Sequence, residues 1–206
     1  MTVFRGVDGA WLSGGSALAG FHLDHRRSKD IDVFAADAST LVELERRLVS
    51  WCALQGLEHA VLQRYPGFQR HRIRGGDEHT LVDLVHEPVP QLVPLESKPM
   101  HDAVRVDSME EIAANKLAAL LGRSETKDLL DLRAMAAAGL DPLAGFTAAQ
   151  AKDGGLDAAT LAWVLSELQI DLEGLDLLDP VTEAELDKFR STLIERLQRM
   201  AFPVTP

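Results

Sequence analysis

Asp30 and Asp32 stand one residue apart in the run DIDVFAA, with Ile31 and Val33 at the alternate positions. On a strand, successive side chains point to opposite faces, so both carboxylates project from one face about 6 to 7 Å apart. Two anions that close repel unless positive charge stands between them. A hard divalent cation supplies it, and Mg²⁺ (or Mn²⁺) takes a few carboxylates plus substrate phosphate oxygens in preference to an all-protein cage. Asp83, in the alternating run LVDLV, is the expected third carboxylate, on a later strand able to pair beside the first. Upstream, Gly14-Gly15-Ser16 offers a different chemistry. Glycines let a backbone turn tightly against an anion, and a helix start after them presents unpaired N–H groups and a favourable dipole end. Carboxylates for metal and a glycine turn for phosphate are both satisfied by a metal-bound nucleoside triphosphate (NTP).

The elements that must hold these residues follow from periodicity. WLSGGSALAGF passes from a short strand-like start to helical spacing after Gly15, with Ser16 placed to cap the helix. DIDVFAA reads as a strand, and Ser39-Thr40 opens an amphipathic helix, LVELERRLVSWCALQG, stopped by Gly56. HAVLQRY, GFQRHRIRG and HTLVDLVHE read as strands separated by Pro66-Gly67 and Gly75-Gly76 turns. Pro88, Pro90, Pro94 and Pro99 exclude a helix interior or a central strand from the next segment, which is expected to cross from an α/β half to a helical half. SMEEIAANKLAALLG then starts with a Ser-x-x-Glu capping box and runs to Gly122. ETKDLLDLRAMAAAG, TLAWVLSEL and VTEAELDKFRSTLIERLQRM continue as helices, with Trp163 and Leu165 read as core. The expected fold class is α+β: a nucleotidyltransferase-type mixed sheet with flanking helices over residues 1–99, then a helical region over 100–206.

The stretch GGSALAGFHLDHRRSKDIDVF resembles the first motif of the AbiEii/AbiGii toxin family, within the DNA-polymerase-beta-like nucleotidyltransferase superfamily. The shared pattern is a Gly-Gly-Ser/Thr-Ala-Leu turn, a spacer ending in His-Arg-x-Ser, and Asp-Ile-Asp. MEEIAANKLAALLGRSETKDLLDL resembles the later motifs, with Glu111, Lys116 and Leu117 on a helix and Lys127-Asp128 and Asp131 after a charged turn. The resemblance covers about the first two thirds of the chain. It implies that Gly14, Gly15 and Ser16 bind triphosphate, that Asp30 and Asp32 bind Mg²⁺, that Lys116 contacts phosphate and that Asp128 is the acidic residue of the last motif. It also implies a toxin with a separately encoded antitoxin, and tRNA as one acceptor used by some relatives. The family's intermediate basic motif has no clear counterpart in RHRIRG, which leaves Arg72 and Arg74 without an assigned role.

Neighbouring residues have blander readings. His22 and His25 flank Asp24 in a turn, where solvent exposure or a local hydrogen bond is expected. Arg26 and Arg27 suit either nucleic-acid contact or charge balance, and Asp131 a surface pair with Arg133 or Lys127. The 206 residues carry a net charge of −11. Residues 1–80 hold ten basic and ten acidic side chains, residues 134–206 five and twelve. The acidic last third is a poor match for polyanions, so a nucleic-acid acceptor would have to use a local basic face formed by Arg64, Arg70, Arg72 and Arg74 with His71. The one cysteine, Cys52, forms no internal disulfide and is expected to be a small buried residue. No signal peptide or membrane-spanning run is apparent, which makes the cytoplasm the expected compartment and excludes a membrane partner. A small-molecule or protein acceptor remains an alternative, as does a catalytically inactive nucleotide-binding module, although the latter has no need of three metal carboxylates. A purely helical protein-binding scaffold is disfavoured by the strand-rich middle. The acceptor, the preferred base and the oligomeric state are not written in the sequence.

Overall fold

The computed structural model describes residues 2–86 and 88–203. Strand β2 (Asp30–Ala35) is where the alternation is clearest: Val33 and Ala35 are buried while Asp30 and Asp32 are not. It pairs antiparallel with β1 (Ala10–Ser13) and parallel with β5 (Glu78–His86). β3 (Glu58–Tyr65) and β4 (Phe68–Gly75) extend the sheet beyond β5, and β6 (Met100–His101) and β7 (Val104–Val106) extend it beyond β1. The strand order is β3-β4-β5-β2-β1-β7-β6, with β1–β7 also parallel, so the sheet is mixed as expected.

The chain divides into two units. The first comprises residues 1–22 and 28–108 and contains the whole sheet. Its α1 (Gly14–Ala17) runs on into a π-helical turn (Leu18–Leu23) whose last residue belongs to the second unit, and α2 (Ala38–Gln55) packs on β2, β3 and β5. Leu41, Leu44, Leu48 and Cys52 recur at helical spacing along α2 and are buried, with burial pushing the Cys52 thiol pKa up. Asp37 caps α2: its carboxylate accepts from the Thr40 amide at 2.7 Å, so the helix opens earlier than Ser39-Thr40 suggests. Gly56 closes the helix in the left-handed conformation, as expected of a glycine stop.

The second unit comprises residues 23–27 and 109–206. It contains α3 (Met109–Arg123), α4 (Thr126–Ala137), α5 (Phe146–Lys152), α6 (Ala158–Glu167) and α7 (Glu183–Ala201). Its core includes Ile112, Leu117 and Leu120 of α3, Leu129 and Leu132 of α4, Leu161 and Leu165 of α6 and Leu193 and Leu197 of α7. Gly145 allows α5 to approach α3, because a Cβ there would lie 2.9 Å from the Ala114 amide nitrogen. Thr182 and Glu185 form a capping box at the start of α7.

Several expectations are corrected. Trp163 is 64% exposed although Leu165 is fully buried, because the two fall on different faces of α6. α3 runs past Gly122 to Arg123. After the proline-rich segment the chain returns to the sheet as the β6–β7 hairpin before the first long helix of the second unit. Among the described residues no helix is long and apolar enough to cross a membrane.

Candidate active site

One row of side chains crosses five strands of the first unit. Ser13 of β1 is in register with Asp32 of β2, Asp32 with Asp83 of β5, Asp83 with Arg70 of β4, and Arg70 with Gln63 of β3. Residues opposite one another in adjacent strands point to the same face, so the fold puts Asp83 beside the Asp30/Asp32 pair. Asp30, Asp32 and Asp83 each offer an oxygen within 4.8 Å of the other two. Asp83 is buried and the other two are half-buried. Three hard oxygen donors at that separation fit a small divalent cation with positions left over for phosphate oxygens.

The glycine turn meets this cluster directly. Gly14 has φ +67, and a Cβ on it would sit 2.2 Å from Asp32 Oδ2. Only glycine lets the backbone come so close to that carboxylate. Ser16 is not the helix cap: α1 begins at Gly14, and the cap position belongs to Ser13, whose side chain makes no cap hydrogen bond. Instead the Ser16 hydroxyl accepts a hydrogen bond from the Asp32 amide at 3.2 Å and donates to the Ser13 carbonyl at 3.4 Å. It fastens the glycine turn to the carboxylate strand.

Two residues for which the sequence suggests no part in the metal site also act on the cluster. Ser28 Oγ donates to Asp30 Oδ1 at 3.2 Å. Arg70 donates from Nε to Asp83 Oδ1 at 2.8 Å and from Nη2 to Asp83 Oδ2 at 2.6 Å. Asp83, with Asp30 and Asp32 behind it, raises the pKa of this guanidinium against the opposing effect of burial. The basic face expected of Arg64, Arg70, Arg72, Arg74 and His71 is split by the pleat. Arg70, Arg72 and Arg74 share the carboxylate face, with Arg72 and Arg74 exposed, whereas Arg64 reaches Glu45 of α2 on the other side. His71 is buried there, with Nδ1 2.8 Å from His59 Nε2 and Nε2 3.0 Å from Gln69 Oε1. Burial, and then the charge of His59, lower its pKa.

Lys116 and Asp128 lie in the second unit, bonded to each other. Lys116 Nζ donates to Asp128 Oδ1 at 2.7 Å and lies 2.6 Å from Asp131 Oδ2. All three side chains are buried. Asp131 does not form the expected surface pair. It accepts from Arg26 Nε at 2.7 Å and Nη2 at 2.9 Å and lies 2.8 Å from His25 Nε2. His25 and Arg26 are therefore buried partners of a residue over a hundred positions away, so the His25 ring is neither solvent-exposed nor locally bonded and Arg26 balances a buried charge. His22 likewise finds a distant partner within the first unit, its Nε2 2.8 Å from the Asp107 carbonyl oxygen. Arg123 closes the second cluster on Asp128, at 2.9 and 3.0 Å. Burial opposes ionisation throughout, but Lys116 and the hydrogen-bonded arginines win, holding both aspartates below the ordinary carboxylate range. Burial likewise lowers the Lys116 pKa less than Asp131 and Asp128 raise it.

Comparison with known proteins bears on family and fold. The sequence pattern of the family described as "Nucleotidyl transferase AbiEii toxin, Type IV TA system" matches residues 7–204. Among solved structures, a candidate nucleotidyltransferase from H. pylori is 18% identical over 93% of this chain and 89% of its own, with a TM-score of 0.52. JHP933 from Helicobacter pylori is 16% identical over 94% and 87%, with a TM-score of 0.48. The former likeness is one of fold. No curated protein sequence matches the chain.

Proposed function

The chain belongs to the AbiEii nucleotidyl transferase toxin family, and from that premise we propose that it moves a nucleoside monophosphate from an NTP to an acceptor hydroxyl, using Mg²⁺ held by Asp30, Asp32 and Asp83. The observation that carries this reading is the convergence of three carboxylate oxygens within 4.8 Å of one another beside a backbone turn that only glycine can make. The divalent ion, when bound, would neutralise triphosphate charge and ease deprotonation of the acceptor hydroxyl.

The chain's own residues do the rest. Gly14 and Gly15 present backbone N–H groups to the triphosphate, and Ser16 keeps that turn at a fixed distance from Asp32. Asp83 accepts the hydroxyl proton as the acceptor oxygen bonds to the α-phosphorus. The bond from that phosphorus to the bridging oxygen breaks, and pyrophosphate leaves with the electron pair. For Lys116 and Asp128 the phosphate-binding and acidic roles implied by the family resemblance are part of the proposal. Their position in a buried ion network assigns them a stabilising role as well.

The proposed setting is the cytoplasm, with a separately encoded antitoxin as partner. The proposed acceptor is tRNA, supported by the exposed Arg72 and Arg74 on the carboxylate face. Incubating the protein with each α-labelled NTP, Mg²⁺ and either total tRNA or cell extract tests this. Label on tRNA is the expected result, and label only on a small molecule or a protein would replace that acceptor. Label on nothing, with no NTP-dependent thermal shift, would sink the transfer reading. Asp30→Ala and Asp32→Ala are expected to abolish labelling with the fold retained, since metal-dependent charge stabilisation is worth several kcal/mol, or about a thousandfold.

A further inference from the structure

Asp83 is held differently from Asp30. Asp30 receives the Ser28 hydroxyl on one oxygen, whereas both oxygens of Asp83 are taken by the planar fork of Arg70. A carboxylate has about four lone-pair positions, so a bidentate guanidinium leaves one on each oxygen and fixes the plane in which they lie. An unrestrained Asp carboxyl turns easily about its terminal torsion, and one packed against two like charges would turn away from them. Arg70 is itself braced. Its guanidinium lies 5.9 Å from the centre of the Phe68 ring, and Phe68 stacks on Tyr65 at 6.4 Å. The brace thus runs from the edge strand through Phe68 and Arg70 to Asp83.

We propose that Arg70 is the positioning residue of this site: its fork sets the orientation of Asp83, so that the two free acceptor positions serve the cation and the acceptor hydroxyl. This rests on the nucleotidyl-transfer reading. It also makes Arg70 a counter-charge that partly opposes cation binding, because its positive charge sits among the same three carboxylates. Orientation and affinity should therefore move in opposite directions when Arg70 is lost, which a merely structural arginine would not produce.

The test compares the intact protein with Arg70→Met and Arg70→Lys. Two readouts are taken: binding of Mn²⁺ alone, followed by electron paramagnetic resonance, and the kcat and KM of NTP transfer. Arg70→Met is expected to bind Mn²⁺ more tightly than wild type, while kcat falls about a hundredfold and the KM for NTP changes by less than about threefold. Arg70→Lys keeps the charge but not the fork, so Mn²⁺ affinity should stay near wild type while kcat still falls about tenfold. Full kcat in Arg70→Lys would overturn the proposal by showing that charge alone suffices. Weaker Mn²⁺ binding in Arg70→Met would overturn it too, since Arg70 would then be building the site. If wild type transfers no nucleotide, the transfer reading fails, and the Mn²⁺ comparison still decides whether Arg70 is a counter-charge to the cluster.

Discussion

In the first unit the guanidinium of Arg70 bonds Asp83, with Asp30 and Asp32 nearby, whereas in the second unit Asp128 and Asp131 are met by Lys116, Arg123 and Arg26. The side-chain types are nearly the same, but the balance is reversed. The first cluster has more anions than cations and is partly open, so a divalent ion, on the proposed reading, would relieve its repulsion. In the second both aspartates are fully buried, and Lys116, Arg26 and Arg123 bring three cations to their two anions. A carboxylate cluster becomes a metal site when it lacks counter-charge and keeps free lone pairs. The same residues saturated with donors hold a core together.

The largest expected effect comes from breaking the saturated cluster. Asp131→Ala leaves Lys116 and Arg26 buried without their shared partner and should cost about 3–5 kcal/mol in urea unfolding. A loss of less than about 1 kcal/mol would erase the distinction between the two clusters.

A smaller effect is expected from pH. Both Asp128 and Asp131 have pKa values lowered in the folded state, so the folded chain binds fewer protons than the unfolded one as pH falls below about 4. Their stabilisation is complete above that pH and is lost as pH drops through the folded values. Lys116 is raised, so its contribution is complete below about 10.4 and is lost only as pH climbs through its folded value. The urea midpoint should therefore vary little from this network between those limits, with an acid limb that Asp131→Asn flattens. An acid limb of unchanged steepness in that variant would assign the loss to other groups.

The histidines and the bland residues show where sequence reasoning stops. The alternation in DIDVFAA is enough to place Asp30 and Asp32 on one face, because period and residue type are local properties, and the β2–β5 register then seats Asp83 opposite Asp32. Arg70 was no more prominent than Arg72 or Arg74, since only strand register decides which of three equivalent positions lies opposite Asp83. His25 and Asp131 looked like surface residues because their partners lie over a hundred positions away. The β6–β7 hairpin is not legible in the sequence because strands of two and three residues carry no readable period. Trp163 illustrates the reverse error: helical spacing marks a stripe but not whether another element covers it.

The smallest effect probes the open cluster gently. Ser28→Ala removes one 3.2 Å hydrogen bond to Asp30 and should lower kcat by about tenfold or less, equivalent to about 0.5–1.5 kcal/mol, with unfolding unchanged.

The contrast between the clusters is tested most directly by Mn²⁺ binding, which needs neither acceptor nor nucleotide. Wild type and Asp30→Asn/Asp32→Asn would be titrated with Mn²⁺ and followed by electron paramagnetic resonance, with Asp128 and Asp131 intact in both. Saturable binding in wild type that disappears from the folded double variant is the predicted result. Undiminished Mn²⁺ affinity in the double variant would place the metal site elsewhere and contradict the account.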